Sequence, residues 1–291
     1  MAPALPDILP PPRVRGRVAG LVLRHPTIVL GGALLLAMVL VAVFAPLLAT
    51  VDPLAISPAR RLRPPSTQFW FGTDMLGRDV YSRTLYGARV SLCVGFAVAA
   101  LSAALGVLIG VVSGFVRVLD AVLMRVMDGL MSIPSILLAV ALTALTRGSV
   151  GNVVLAITIA EVPRVARLVR GVVLSLREQP YVEAAVACGS RLPRIVVRHI
   201  LPNTLAPLMV QATYVCASAM VTEAILSFIG AGTPPIIPSW GNIMAEGRAL
   251  WQVKPFLVFF PAAFLSATVL AVQLLGDGLR DALDPRMAAR R

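Results

Sequence analysis

Arg177–Asn203 reads REQPYVEAAVACGSRLPRIVVRHILPN and separates two long apolar runs. It carries Arg177, Glu178, Glu183, Arg191, Arg194, Arg198 and His199. So many ionisable side chains are costly inside hydrocarbon, and the stretch therefore reads as a polar excursion between two membrane spans. Local rules predict two short helices with a hinge. Pro180 suits a first helical turn, where its missing N–H costs nothing, and VEAAVAC is built from good helix formers. Gly189 offers the left-handed residue that ends a helix, and Ser190 is the expected N-cap of the next. That second helix places Leu192, Ile195, Val196 and His199 on one side, with Arg191, Arg194 and Arg198 on another. Leu201-Pro202 is expected to close it, because proline disfavours helix at the residue before it.

Composition sets the surroundings of this stretch. Of 291 residues, 58% are hydrophobic and 14% charged, and the mean hydropathy is +0.85. That excludes a soluble globular protein and suits one membrane domain of several spans. The net charge of +12 comes from 26 Lys and Arg, of which only Lys254 is lysine. These residues cluster beside apolar runs, which fits anionic headgroups better than nucleic acid. A nucleotide-binding P-loop needs a lysine after its glycine-rich turn, and Lys254 sits in WQVKPF, so the chain cannot hydrolyse ATP by that route. There is no Gly-x-Ser-x-Gly elbow, and His25 and His199 are too far apart for a metal site. Cys93, Cys188 and Cys216 are isolated and read as small packing residues. Nothing here argues for an enzyme, a resident metal or a cofactor in this subunit.

Outward from the loop, the chain divides into a 1–25 tail, a 26–50 first span, a 51–89 loop, a 90–286 membrane domain holding the 177–203 loop, and a 287–291 tail. The apolar run Thr27–Ala49 is long enough to cross about 30 Å of hydrocarbon at about 1.5 Å per residue, and reads as an uncleaved span. Residues 51–89 are polar and proline-rich, and close on an amphipathic helix bearing Arg78, Arg83 and Arg89, read as a solvated interfacial element. Span two covers Val90–Phe115, where Gly106, Gly110 and Gly114 form a face that lets another helix approach closely. Span three covers Leu119–Leu145, with Arg125 and Asp128 placed to pair at i, i+3 and a kink expected at Pro134. Span four covers Val153–Val173, interrupted by Glu161 and Pro163 and followed by Arg164, Arg167 and Arg170. Span five covers Ala206–Gly230 and carries Glu223 near its outer end. Ala231–Gln252 is an outer loop, and span six covers Pro255–Gly276. Acids inside spans usually face protein or water, so Glu161 and Glu223 are candidate path or gate residues.

Several of these segments also carry a resemblance. Glu183-Ala184-Ala185, Gly189 four residues later, and Leu201-Pro202 resemble the cytoplasmic EAA loop of ABC importer permeases, with His199 where that motif usually has an apolar residue. FGTDMLGRDVYSRTLYGARVSL (Phe71–Leu92), EAILSFIG (Glu223–Gly230) and LLGDGLRDALDPR (Leu274–Arg286) resemble C-type permeases of the dipeptide, oligopeptide and nickel group. In span four the group usually has an aromatic near Glu161. The resemblance runs from residue 26 onward. It implies an all-α polytopic membrane protein with six transmembrane helices and a coupling helix-turn-helix, in the cell membrane with both termini cytoplasmic. It further implies a heterodimer with a B-type permease, two ATPase subunits that dock on the EAA loop, and an extracytoplasmic binding protein. The function implied is ATP-driven import of di- or oligopeptides, with nickel or another small solute as the alternative within the group. An ion-coupled secondary transporter is the rival from another class. It would show inverted repeats and ionisable residues on broken helices at mid-membrane, and Glu161 beside Pro163 is the only such hint.

Six spans with a cytoplasmic coupling loop leave one conflict. The segment Arg164–Asn203 and both tails are arginine-rich and should be cytoplasmic, yet residues 50–89 then lie outside with Arg60, Arg61, Arg63, Arg78, Arg83 and Arg89.

Overall fold

The structure, a computed structural model, describes residues 26–145 and 148–283. The tails read at 1–25 and 287–291, and the last residues of the LLGDGLRDALDPR motif, lie outside them. The described residues form helices joined by turns, with no strand pairing beyond one bridge between Thr73 and Asp79.

Helix α1, Pro26–Val43, is apolar on all sides and buries only Ile28, Gly31 and Ala42. A helix apolar all round is stable only against protein or lipid, and most of the surface of this one meets no other described residue. It lies along the last helix, and a Cβ on Gly31 would fall 2.6 Å from the Leu275 backbone nitrogen. A short turn, α2 (Ala45–Leu48), follows Phe44 with Pro46 in its first positions. Residues 50–79 then fold back over the start of α3, Val80–Phe115, a single helix of 36 residues. Asp79 caps it, accepting from the Ser82 amide at 2.9 Å. The amphipathic helix expected before span two is therefore the first turns of α3 itself. Nor is it solvated: Arg83 is 0% exposed and Arg78 only 6%.

The expected third span consists of two helices. α4 (Arg117–Met131) and α5 (Ser135–Ala144) meet at 89°. Pro134 has an extended backbone at the N-cap of α5, so it ends one helix and starts another, which is more than a kink. Thr146 and Arg147 lie outside the description. α6, Val150–Arg177, then runs through Pro163 without interruption, contrary to the break expected there. Its neighbours supply the packing that offsets one lost backbone hydrogen bond.

α3 makes its most extensive contact with α6. A Cβ on Gly106 would lie 2.5 Å from Val165 Cγ1, one on Gly110 2.7 Å from Val169 Cβ, and one on Gly114 against Val173 Cγ1. Each step of four on α3 matches a step of four on α6, so the two helices run parallel. Asp120 and Asp128 of α4 pair with Arg170 and Arg167 of α6. Asp128 thus engages a neighbouring helix, not Arg125 as the i, i+3 spacing suggested.

After the loop described below, α9 (Leu201–Phe228) packs on α3, α6 and the final helix. The short α10 (Trp240–Gly247) tucks against α3 and α9, and α11 (Phe256–Leu283) closes the bundle against α1 and α9. Trp240 is fully buried and its indole N–H donates to the Thr84 carbonyl at 3.0 Å. By length and apolarity, α1, α3, α11 and the continuous Leu192–Phe228 segment can each cross a membrane, and the bent pair α4–α5 has the length and apolarity of either a fifth, broken span or a re-entrant loop. α6 is also long enough, but it carries Glu161, Arg164, Arg167, Arg170 and Arg177.

Candidate functional site in the α6–α9 loop

Between α6 and α9 the chain makes the two short helices read from the sequence. α7 (Pro180–Ala187) starts with Pro180 in its first turn, and the Val182 and Glu183 amides both donate to the Gln179 carbonyl. Glu183 in that first turn also faces the positive end of the helix dipole. The helix ends in a Schellman motif. Gly189 N–H reaches the Val186 carbonyl at 2.9 Å and Ser190 N–H the Ala185 carbonyl at 3.0 Å, with Gly189 at φ +76°. A Cβ on Gly189 would meet nothing within 4 Å. Glycine is needed there for its backbone angle, not for space.

The second half departs from expectation twice. Arg191, not Ser190, is the N-cap of α8 (Leu192–Ile195), and no side chain caps it. Pro193 explains this: with Ser190 as cap, the third helical residue would be proline, which has no N–H to donate. Leu201-Pro202 also fails to close the helix. Val196–Ile200 forms a π-turn in which Leu201 N–H donates to the Val196 carbonyl, and α9 continues from it. Pro202 cannot donate to a carbonyl four residues back, and the wider turn accommodates that loss.

Three apolar side chains anchor the loop to the bundle: Val182, Ile195 and Ile200, each under 5% exposed. The opposite side is open. Glu183, Ala184, Gly189 and Pro202 are exposed, while Ala185 and Leu201 are half-buried. Tyr181, Val186, Leu192 and Val197 add exposed apolar surface beside exposed Arg191, Arg194 and Arg198. His199, the unusual position in the motif, is half-buried with its ring centroid 6.0 Å from that of Tyr181. The loop is thus a two-sided ledge. One side is fastened to the membrane helices and the other presents apolar and basic groups together. Cys188 is exposed on it and Cys93 is exposed on α3, while Cys216 is buried in the core.

The two acids inside spans sit apart from this ledge and from each other. Glu223 is 0% exposed near the far end of α9. Its carboxylate accepts from Ser227 at 2.8 Å, Thr233 at 3.3 Å and Ser91 at 3.4 Å. Asn242 extends this knot by donating to Thr233 Oγ1 at 2.9 Å. Glu161 is 2% exposed, lies 3.5 Å from Ser218 Oγ and 3.8 Å from Arg164, and leaves Oε2 without a hydrogen-bond donor among the described residues.

Sequence reasoning missed one cluster altogether. Asp74 accepts from Arg78 Nε at 2.7 Å and Arg83 Nη1 at 2.5 Å, and Glu246 of α10 accepts from both arginines. Two buried guanidiniums are thereby matched to two carboxylates, and the 72–83 segment is tied to α10. Nothing local in the sequence pairs Arg83 with Glu246, which lies far along the chain.

Comparison with known proteins places this geometry. Residues 104–289 match the family model described as binding-protein-dependent transport system inner membrane component, and residues 22–65 match the N-terminal transmembrane domain of oligopeptide transport permease C. The chain is 57% identical over 268 residues to a probable peptide ABC transporter permease protein of Sinorhizobium fredii, covering 92% of each. It is 42% identical over 260 residues to the dipeptide transport system permease protein of Alkalihalophilus pseudofirmus, covering 89% of this chain and 86% of the relative. With the glutathione transport system permease protein of Escherichia coli it shares 45% over 224 residues, covering 77% and 74%. The fold matches a chain of the MetNI methionine ABC transporter, solved in inward facing conformations, with a TM-score of 0.58 at 21% identity over 69% of this chain and 97% of that one. A multi-pass helical bundle, the two family models and these relatives make the chain a member of the binding-protein-dependent transport system inner membrane components, a permease subunit of an ABC importer.

Proposed function

We propose that this chain forms, with a related B-type permease, the path by which di- or oligopeptides enter the cell, and that two ATPase subunits drive it through the α6–α9 loop. The observation that carries this reading is the ledge itself. Val182, Ile195 and Ile200 fix it to the bundle, while Tyr181, Val186, Leu192 and Val197 leave an apolar surface for a partner to cover. Peptide cargo is supported by relatives named as peptide and dipeptide permeases. In this reading the loop and both termini are cytoplasmic, and a binding protein delivers cargo on the opposite side. Closure of the ATPases moves the ledge, and α6 and α9, which flank it, carry the motion into the bundle. Glu223 acts as a brace, since its oxygens are occupied by hydroxyls of α3, α9 and the following loop. The test is reconstitution of this chain with its partner permease, ATPases and binding protein in proteoliposomes. Di- and oligopeptides should enter the vesicles and stimulate ATP hydrolysis, and omission of this chain should abolish both. Peptide-independent hydrolysis with no uptake would overturn the reading.

A further inference from the structure

We propose that the cleft where α3 ends, α4 begins and α6 ends is a binding site for a phosphate group, carried by an anionic lipid or by inorganic phosphate. The cleft measures about 430 Å³ and is lined by Ser113, Phe115, Arg117, Asp120, Leu174 and Arg177. Four observations converge on it. α4 starts at Arg117 with no side-chain cap, and the Asp120 amide is the first to find a helical carbonyl, at Val116. The first-turn amides of this 15-residue helix thus have no helical acceptor, and Arg117 brings the start of the helix to the cleft. Ser113 is 3% exposed, yet its Oγ has no hydrogen-bond partner among the described residues. A buried hydroxyl without a partner is costly, and an anion oxygen in the cleft would satisfy it. Arg177 is held in place by Nη1 donating to the Gly114 carbonyl at 2.9 Å. Neither Arg177 nor Arg117 has a carboxylate within ion-pair distance among the described residues. The one acid in the cleft, Asp120, is occupied by Arg170, with contacts of 2.5 and 2.7 Å.

Uncapped amides, a lone hydroxyl donor and two unneutralised guanidiniums are all donors, so they select an anion with several acceptor oxygens. A phosphate group has that shape and charge. The cleft also lies where α3 ends, three residues before the ledge begins at Pro180, and in the orientation proposed above that is the level of phospholipid headgroups. An anionic lipid and soluble inorganic phosphate therefore offer the same chemistry here. That this end faces the ATPases rests on the function proposed above; the binding itself does not.

The full-length chain, purified with whatever partners accompany it and stripped of lipid, is titrated with phosphatidylglycerol, phosphatidylcholine and inorganic phosphate, and bound species are counted by native mass spectrometry. One saturable phosphatidylglycerol per chain is expected, with affinity falling about tenfold in Arg117→Gln and about threefold in Ser113→Ala. Arg117→Lys should retain most of the binding. If inorganic phosphate binds with the same dependence on Arg117 and Ser113, the source is soluble phosphate; if only phosphatidylglycerol does, it is lipid. Either result sustains the site. Phosphatidylcholine binding as tightly as phosphatidylglycerol, or Ser113→Ala and Arg117→Gln both binding like the parent, would overturn it. Should Arg117→Gln not assemble, Ser113→Ala decides alone. Transport is not read, so a chain that fails to import peptide can still pass.

Discussion

Gly189 and Glu183 lie on the same ledge but do different work. Gly189 holds φ +76° with open space around it, so a side chain there costs backbone strain of about 1 kcal/mol or more without any clash. Gly189→Val should therefore redirect α8 and reduce the ATPase subunits that copurify with the chain. Glu183→Ala keeps the helix, since alanine is a strong helix former, and removes only an exposed charge. It should retain the ATPases but lose substrate-stimulated hydrolysis. Full attachment and full stimulation in both variants would falsify the coupling role. At the other end, Arg83 is fully buried and depends on Asp74 and Glu246. Removing one partner of such a cluster costs about 3–5 kcal/mol, because the charge left behind stays desolvated. Glu246→Ala should lower the unfolding temperature of the purified protein markedly, and Arg83→Met in the same background should recover part of the loss. An Arg83→Met change that made matters worse would show that the arginine acts by something other than its charge.

Helix by helix, the α3–α6 contact sets the geometry of the bundle. Gly110 has no room for even one methyl, since a Cβ would lie 2.7 Å from the Ala166 carbonyl oxygen. Gly171, on α6, meets nothing within 4 Å. The same substitution should thus have opposite signs at the two sites. Gly110→Ala must push α3 and α6 apart at a cost of about 1–3 kcal/mol. Gly171→Ala should be neutral or gain up to about 1 kcal/mol of helix propensity. Thermal unfolding of the two variants in one detergent checks this, and equal shifts would count against a close α3–α6 approach. The glycine spacing announced a packing face. It could not announce which helix would fill it, because a small-residue stripe is complementary to any helix of suitable shape.

Across the whole molecule, the arginine-rich segment before α3 is the topological problem. Its burial pattern removes part of the difficulty, since Arg78 and Arg83 are neutralised within the protein, leaving Arg60, Arg61, Arg63 and Arg89 as exposed charges. A cysteine at Ser66, introduced after replacing Cys93, Cys188 and Cys216, should react with a membrane-impermeant maleimide in intact cells. Labelling only after lysis would place this segment in the cytoplasm and invert the orientation of every span.

Much of the protein follows from local order alone. Apolar runs of spanning length, a charged excursion between two of them, Pro180 opening a helix and Gly189 ending it are all effects within a few residues, and composition is enough to reveal them. Tertiary structure decided whatever depends on distant partners. Arg83 could be buried only because Glu246, far along the chain, meets it, and Asp128 chose Arg167 of another helix over its own Arg125. Pro134 turned the chain by 89° while Pro163 left α6 continuous, because the second is packed on several sides and the first is exposed. A proline or a charge has a local cost that can be read from the sequence. Whether that cost is offset depends on the groups that fold against it.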